Sequence, residues 1–348
     1  MKKLVFSMAC LLLIGATPIL TACTEELERY DQNSESNCDI SYLKFNIQND
    51  SWTRGTMALV SSLDDGFGVS SSTYPAAETY TSYACGNYFY NIRAFPNADT
   101  GYYWPLTSNE ISFFAYYPYG NANLSIQSST TTGSPIYAYS TPINVASQID
   151  VMTAQVTDVS CAEPTTSVSL TFGHKCSDLR FILDNSTNET VTVNSLTVKN
   201  FYRIGTLQEN TWTTTGDVQD FVLTVENDVA SGTSLDLTGT TNHFILIPQT
   251  ITSGARLLDL YVTSGGENKH FYCDLAEDYT AEAGKTYQFR LLLKSNLEVD
   301  DGTGISDWEL QVGYINYATG INTENWTPEE QPIERIISGG ISDWQREN

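Results

Sequence analysis

The pattern that most constrains the fold is an alternation of apolar and polar residues with a period of two. In residues 40–48, Leu43, Phe45 and Ile47 share one face and polar side chains stand between them. This is the period of a half-buried β-strand, because successive side chains of a strand point to opposite faces. Similar segments recur at residues 110–117, 168–172, 179–183, 191–199, 221–225, 243–247, 257–262 and 286–293. Short strands separated by Gly, Asn, Asp and Pro turns predict an all-β protein built from β-sandwiches.

The order of these segments predicts two sandwich domains in tandem. The stretch Glu163-Pro164-Thr165-Thr166 is typical of a linker between them. Two long polar and aromatic stretches, residues 74–91 and 125–139, are predicted to be loops. The predicted division is a signal peptide at 1–22, an acidic linker at 23–37, sandwiches at 38–164 and 165–298, and a C-terminal extension at 299–348.

The N-terminus has the form of a lipoprotein export signal. A basic start precedes a mostly apolar run from Leu4 to Leu20, which ends in Leu20-Thr21-Ala22-Cys23. A transmembrane anchor is the weaker alternative, because a spanning helix needs about 20 apolar residues and this run contains Gly and Pro. We therefore expect Cys23 to be the first residue of the mature chain and to carry the lipid, which would include palmitate. The acidic residues that follow resemble the surface-export tag of Bacteroidota lipoproteins, although a solvated linker explains them equally well.

The composition argues against some classes of partner. The formal net charge of −24 disfavours nucleic acid and anionic membrane surfaces. Charged residues make up only 17% of the chain and hydrophobic residues 41%, as in β-rich extracellular proteins with a sizeable core. Two disulfides at most can form in the mature domains, since the cysteines after Cys23 number five. They are Cys38, Cys85, Cys161, Cys176 and Cys273.

The motifs of catalysis and cofactor binding are missing from the sequence. His174, His243 and His270 have no metal-ligand spacing, and no nucleophile elbow, P-loop or dinucleotide fingerprint occurs. We therefore predict no catalytic residue, no cofactor and no metal. Aromatic residues cluster in the first half, where they would either bind sugars or protein partners or pack under loops. This cluster comprises Tyr80, Tyr83, Tyr88, Tyr90, Tyr102, Tyr103 and Trp104.

Several stretches, in order along the chain, resemble the fimbrillin family, the subunits of type V pili of Bacteroidota. They are Ile111-Ser112-Phe113-Phe114-Ala115-Tyr116-Tyr117-Pro118, Asp150-Val151-Met152-Thr153-Ala154, residues 168–181, Phe244-Ile245-Leu246-Ile247-Pro248-Gln249-Thr250 and residues 283–291. The resemblance implies two transthyretin-like β-sandwiches, secretion as a lipoprotein to the cell outer membrane, and assembly by strand exchange.

The same resemblance implies a proteolytic step. In fimbrillins a first strand precedes an arginine after which a trypsin-like protease cuts. Here residues 39–48 precede Arg54, so we expect cleavage between Arg54 and Gly55 and removal of that strand. Arg29 and Arg93 are competing positions, and an uncut arginine in a surface turn is the alternative.

Removal of a first strand would expose unpaired strand edges and an apolar groove. A foreign strand with the same alternation could fill it by β-strand addition. The anchors that would be exchanged are Leu43, Phe45 and Ile47 in the first strand and Trp308, Leu310, Val312 and Tyr314 in the C-terminal region. The C-terminal segment could equally be an ordinary last strand of the second sandwich.

These expectations combine into a fimbrial subunit that serves adhesion. Its partners would be other fimbrial subunits, in a homopolymer or a heteropolymer, and the outer membrane through the N-terminal lipid. Surface glycans or proteins of a host or bacterium are further candidate partners, and nucleic acid is not. The alternative is a monomeric, glycan-binding surface lipoprotein, or a tip or anchor adhesin of the pilus.

Overall fold

The computed structural model describes residues 42–48, 63–72, 89–103, 110–127, 133–160, 167–239, 242–275, 277–295 and 308–317. Within these ranges the chain consists of strands joined by turns, with one short 3-10 helix at Val145–Ser147 and no α-helix. The predicted all-β sandwich class is therefore confirmed.

The first half of the chain forms two facing sheets. The three-stranded sheet has the order β4-β1-β9, with β1 Tyr42–Gln48, β4 Asp99–Tyr103 and β9 Val168–Thr171. The five-stranded sheet has the order β10-β8-β5-β2-β3, with β2 Phe67–Ser72, β3 Ile92–Ala94, β5 Glu110–Tyr117, β8 Met152–Ser160 and β10 Gly173–His174. One apolar core lies between them, with Phe45 and Leu170 from the first sheet and Phe67, Phe113 and Met152 from the second.

The second half, together with two strands from the first half, forms another pair of sheets. One has the order β14-β11-β20-β21 with β15 also paired to β11; its strands are β11 Ser177–Ser186, β14 Thr233–Asp236, β15 Phe244–Leu246, β20 Thr286–Ser295 and β21 Trp308–Tyr317. The other has the order β18-β17-β12-β7-β6 with β13 also paired to β12; its strands are β6 Leu124–Gln127, β7 Ile136–Ser140, β12 Val191–Gln208, β13 Thr211–Val229, β17 Arg256–Ser264 and β18 Glu267–Asp274. The strands β16 Gln249–Ile251 and β19 Tyr279–Ala281 pair separately.

The second sandwich, like the first, has an apolar core between its two sheets. Phe181 and Phe289, from one sheet, stack with ring centroids 4.9 Å apart. The facing sheet contributes Val198 and Leu260 to the same buried cluster. Each sandwich contains one parallel strand pair, β1 beside β9 in the first and β11 beside β20 in the second, among the described strands.

Two tight hairpins shape the larger sheet. Glu209 and Asn210 join β12 to β13 and both have positive φ, 48° and 69°. Gly265 and Gly266 join β17 to β18 with φ of 57° and 83°. Two-residue turns of this hand match the twist of antiparallel strands, which is why such short connections suffice.

The strand pairing crosses the expected domain boundary at residues 164 and 165 in both directions. The strand β9 follows that point but pairs with β1, and β10 pairs with β8. The strand β7 precedes it but pairs with β12 of the second half. The long strand β12 therefore reaches beyond its own sandwich and connects the two halves.

The prediction of a loop over residues 125–139 was wrong for residues 125–127 and 136–139, whereas residues 128–132 lie outside the described residues. Residues 124–127 and 136–140 form β6 and β7, which pair with each other antiparallel. The side chains of Tyr137 and Tyr139 are buried beside Leu207 and Ile247 in an apolar cluster where the two halves meet. Their polar hydroxyl groups concealed a period of two, and their partner β12 lies far away in sequence.

Candidate strand-exchange site

The strand β1 occupies the middle of the three-stranded sheet. It runs antiparallel to β4, with Lys44 opposite Asp99, and parallel to β9, with Phe45 opposite Val168 and Ile47 opposite Leu170. A middle strand satisfies backbone groups on both of its neighbours. Removal of β1 would therefore leave β4 and β9 with facing, unpaired edges across an open slot.

The inward side chains of β1 are part of the apolar core. Leu43 and Phe45 are both 0% exposed, and Ile47 is half-buried against the same core. The ring of Phe45 meets those of Phe67 and Phe113 edge to face, with centroids 6.1 and 5.4 Å apart. Complete burial of one such side chain contributes about 1.5–3 kcal/mol, so Leu43 and Phe45 together contribute about 3–6 kcal/mol.

Polar contacts along the loop before β4 and on β4 hold β1 in register. The Thr100 hydroxyl donates to the Leu43 carbonyl at 2.8 Å, and the backbone N–H of Asn97 donates to the Phe45 carbonyl at 2.8 Å. The Nζ of Lys44 lies 3.1 Å from the Asp99 carboxylate, with both side chains partly exposed. These wall residues were not predictable from the sequence, because nothing local indicates that residues 97–100 lie beside residues 43–45.

The predicted lipidation and cleavage residues, Cys23, Arg54 and Gly55, lie outside the described residues. The competing position Arg93 can be assessed, since it lies in β3, paired with Gly68. Its guanidinium donates to the Asp65 carbonyl and lies 5.1 Å from the ring centre of Phe95. A protease needs an extended, accessible backbone, so a paired strand residue is a poor substrate.

The C-terminal segment that carries Trp308, Leu310, Val312 and Tyr314 forms the strand β21. Its backbone pairs antiparallel with β20 along its whole length, from Trp308 opposite Ser295 to Tyr317 opposite Thr286. In the described sheet β21 is an edge strand with β20 as its neighbour, whereas β1 lies between two strands. The two segments expected to exchange therefore occupy different sheets and different positions within them.

A buried ionisable cluster lies where the two sandwiches meet. The Nδ1 of His174 forms a short hydrogen bond with the carboxylate of Asp150. Asp178 accepts a hydrogen bond from Arg180 Nε at 2.9 Å, and its other oxygen lies 3.5 Å from His243 Nδ1. His174 is half-buried and His243 is buried, and each lies at a strand end beside a carboxylate.

Burial and pairing shift the pKa values in this cluster. Burial alone lowers the pKa of His174, but the hydrogen bond and charge of Asp150 raise it, and the net shift is upward. Burial raises the pKa of Asp150, and its hydrogen bond with His174 offsets part of that rise. The pair therefore holds a proton more tightly than a free imidazole does.

Some of the expected cysteines and aromatic side chains lie among the described residues. Cys176 and Cys273 are buried free thiols, and burial raises the pKa of Cys273 to about 12. Cys38, Cys85 and Cys161 lie outside the described residues. In the aromatic cluster, the Tyr90 hydroxyl donates to the Ile126 carbonyl at 2.9 Å and Tyr102 packs against the first core. Both side chains therefore make contacts within the protein. The side chains of the other members of the cluster are not among those described; they are Tyr80, Tyr83, Tyr88, Tyr103 and Trp104.

The residue ranges given above contain neither a metal-binding cluster nor a membrane-spanning helix. No group of three or more His, Cys, Asp or Glu side chains there is arranged to hold a metal ion. The same residues include no helix of the length and apolarity needed to cross a bilayer.

Comparison with solved structures gives matches of low sequence identity that extend over most of each chain. A fimbrial protein from Bacteroides vulgatus is 13% identical, with a TM-score of 0.48, and the match covers 80% of this chain and 99% of that one. The fimbrial anchor protein Mfa2 from Porphyromonas gingivalis is 13% identical, with a TM-score of 0.37 and coverage of 80% and 97%.

Among curated proteins none matches this chain. The sequence profile described as fimbrillin-like, in contrast, matches residues 48–308, which is most of the sequence. The chain therefore belongs to the fimbrillin-like family.

Proposed function

We propose that this protein is a structural subunit of a cell-surface fimbrium, delivered as a lipoprotein through Cys23 and polymerised by donor-strand exchange after cleavage between Arg54 and Gly55. The family is structural rather than catalytic. The observation that carries the proposal is the position of β1, whose Leu43 and Phe45 fill the first core from the middle of a sheet.

Cleavage at Arg54 would convert this core strand into a separate peptide. The strand β1 ends at Gln48, so Arg54 lies in the connection between β1 and the next described strand, β2. A cut there leaves β1 held by noncovalent contacts alone. A strand with matching side chains could then replace it and restore both the core and the hydrogen bonds to β4 and β9.

Strand exchange of this kind can link many subunits in succession. A subunit that receives a strand at one site and donates a strand from another makes a head-to-tail contact, which forms a filament when the rotation between successive subunits does not close a ring. In the proposed filament the donor is the C-terminal region from about Ile305 onward, which includes β21. As an edge strand, β21 can leave its sheet while β20 keeps its ladder with β11.

The test is the N-terminal residue of the protein recovered from the cell surface. In cells that carry the wild-type chain, we expect Gly55 as the first residue of material in high-molecular-weight fimbriae. The Arg54→Ala variant should keep its lipidated Cys23 and stay out of those fimbriae. Arg93→Ala is the matched control and should behave as wild type, because Arg93 lies within a paired strand. Fimbriae that contain Arg54→Ala chains with residues 39–48 still attached would refute the proposal.

A further inference from the structure

We infer that the slot of β1 selects a strand with an aliphatic, a basic and an aromatic residue in succession, and that this requirement excludes the protein's own C-terminal region. The joint would then form between different subunits. This inference rests on the proposed function and goes beyond it, because it specifies the chemistry of the incoming strand.

The aromatic requirement comes from the pocket of Phe45. The ring is completely buried and makes edge-to-face contacts with Phe67 and Phe113. The ring of Phe67 in turn meets Phe172 edge to face at 5.4 Å. These three neighbouring rings provide no oxygen or nitrogen to pair with a hydroxyl group. A tyrosine in this pocket would bury a polar group without a partner from these rings, and an aliphatic residue would lose the ring contacts.

The basic requirement comes from Asp99. Its carboxylate lies 3.1 Å from Lys44 Nζ, directly opposite in the ladder between β1 and β4. An incoming lysine or arginine would restore this pair. An acidic residue at the same position would place two like charges opposite each other, which destabilises a strand pair.

The frame of the slot prevents a different alignment. Thr100 and Asn97 donate to the carbonyls of Leu43 and Phe45, and β9 pairs with β1 in a parallel register from Phe45 onward. A shift of one residue would turn every inward side chain to the other face. The residue before the buried aromatic residue therefore has to face Asp99.

The protein's own C-terminal region does not contain this pattern. No phenylalanine follows Phe289 in the sequence. None of the aromatic residues after residue 304 is preceded by Lys or Arg; they are Trp308, Tyr314, Tyr317, Trp326 and Trp344, preceded by Asp, Gly, Asn, Asn and Asp. Both copies of Gly-Ile-Ser-Asp-Trp would place a serine in the site of Leu43 and an aspartate against Asp99. The region therefore suits a different groove from the one in its own chain.

The test measures strand exchange into the full-length chain after cleavage at Arg54. Fluorescent synthetic peptides are incubated with the cut protein, and binding is followed by anisotropy at low and high salt. The peptides are residues 41–48, the same peptide with Lys44→Glu, the same with Phe45→Tyr, and residues 308–317. The peptide of residues 41–48 should displace the cleaved strand, whereas uncut protein should bind none of the four.

We expect Lys44→Glu to weaken binding about fivefold at low salt, with a smaller effect at high salt, since the pair is partly exposed. The Asp99→Lys variant of the protein should reverse this preference. Phe45→Tyr should weaken binding about tenfold or more through the buried hydroxyl. The peptide of residues 308–317 should bind more weakly than residues 41–48 by at least a similar factor.

The possible outcomes distinguish the selectivity of the slot from strand exchange itself. Binding of residues 308–317 as tight as that of residues 41–48 would overturn the selectivity inferred here and leave strand exchange standing. Equal binding of the Lys44→Glu peptide by wild type and Asp99→Lys protein would also overturn it. Failure of residues 41–48 to enter the cut protein would refute both this inference and the exchange mechanism.

Discussion

Individual side chains explain why the first strand is firmly held and how another strand could replace it in the proposed exchange. Phe45 and Leu43 make the deepest apolar contacts of β1, while the polar contacts of Lys44 with Asp99 lie at the partly exposed rim. Apolar burial supplies most of the free energy that holds β1 in place. In the proposed exchange, the polar contacts at the rim would contribute selectivity for the incoming strand. The inward face was predictable from the alternation of residues 43–47, but the identity of each wall residue was not.

Replacement of Phe45 by alanine should strongly destabilise the uncut protein. The substitution removes a fully buried ring and leaves a cavity beside Phe67 and Phe113, at a cost of about 3–5 kcal/mol in the free energy of unfolding. Urea denaturation followed by circular dichroism measures this loss. Asn46→Ala, on the outward face of the same strand, is the control and should cost less than about 1 kcal/mol. Similar losses in both variants would show that β1 is not anchored through its inward face.

The pair of His174 and Asp150 should make stability depend on pH. The pKa of His174 is raised in the folded protein, so its contribution is fully present below the unfolded value of about 6.5 and is lost as the pH rises through the folded value. The urea midpoint of the wild-type protein should therefore fall between neutral and mildly alkaline pH. His174→Gln should flatten that part of the profile. An unchanged slope in the variant would assign the pH dependence to other groups.

Whole strands explain how the protein could lose one segment and remain folded. The strand β21 pairs with β20 at the edge of its sheet, and β20 keeps a nine-residue parallel ladder with β11, from Asp178 opposite Thr286 to Ser186 opposite Lys294. The strand β1 has two neighbours and buried anchors, so its loss requires replacement. In the proposed exchange the edge strand β21 is therefore the donor, and the position vacated by the middle strand β1 is the acceptor site.

Truncation of the chain before Ile305 should abolish incorporation into fimbriae and leave a soluble, folded protein. The truncation removes β21, while the ladder of β11 with β20 and the core around Phe181 and Phe289 stay in place. Size analysis of surface material and circular dichroism of the purified protein measure the two effects. A matched truncation after Tyr317 retains β21 and reports whether the residues beyond it take part. Fimbriae built from chains that end before Ile305 would exclude this region as the donor.

For the molecule as a whole, the main feature is that strand pairs cross the domain boundary expected at residues 164 and 165. The strands β9 and β10 complete the first pair of sheets although they follow residue 165, and β7 pairs with β12 although it precedes that point. The buried cluster that includes Tyr139, Leu207 and Ile247 closes the junction. We propose that the functional unit is a single body with two cores rather than two independent domains.

Separate expression of residues 38–164 and 165–298 should therefore yield no folded first domain. The first fragment lacks β9, the parallel partner of β1, and its β7 lacks β12. Near-ultraviolet circular dichroism and amide dispersion in NMR spectra report fixed tertiary packing. The intact chain is the control and should unfold with coincident transitions by both probes. A well-dispersed spectrum from the first fragment would show that the sandwiches fold independently.

The local pattern of residues was sufficient for the all-β class, for most strand positions and for the buried face of β1. Each of these depends on side-chain alternation within a few residues, which is set by the geometry of the strand itself. The family likeness of residues 168–181 and 283–291 was equally visible in the chain.

Which strands are neighbours was settled only by the tertiary structure. The placement of β1 between β4 and β9, the addition of β7 to β12 and the approach of Asp99 to Lys44 join residues far apart in sequence. Alternation makes many strand pairings compatible with one sequence. The packing of two cores at once selects among them, because each inward side chain must find a complementary neighbour on the facing sheet.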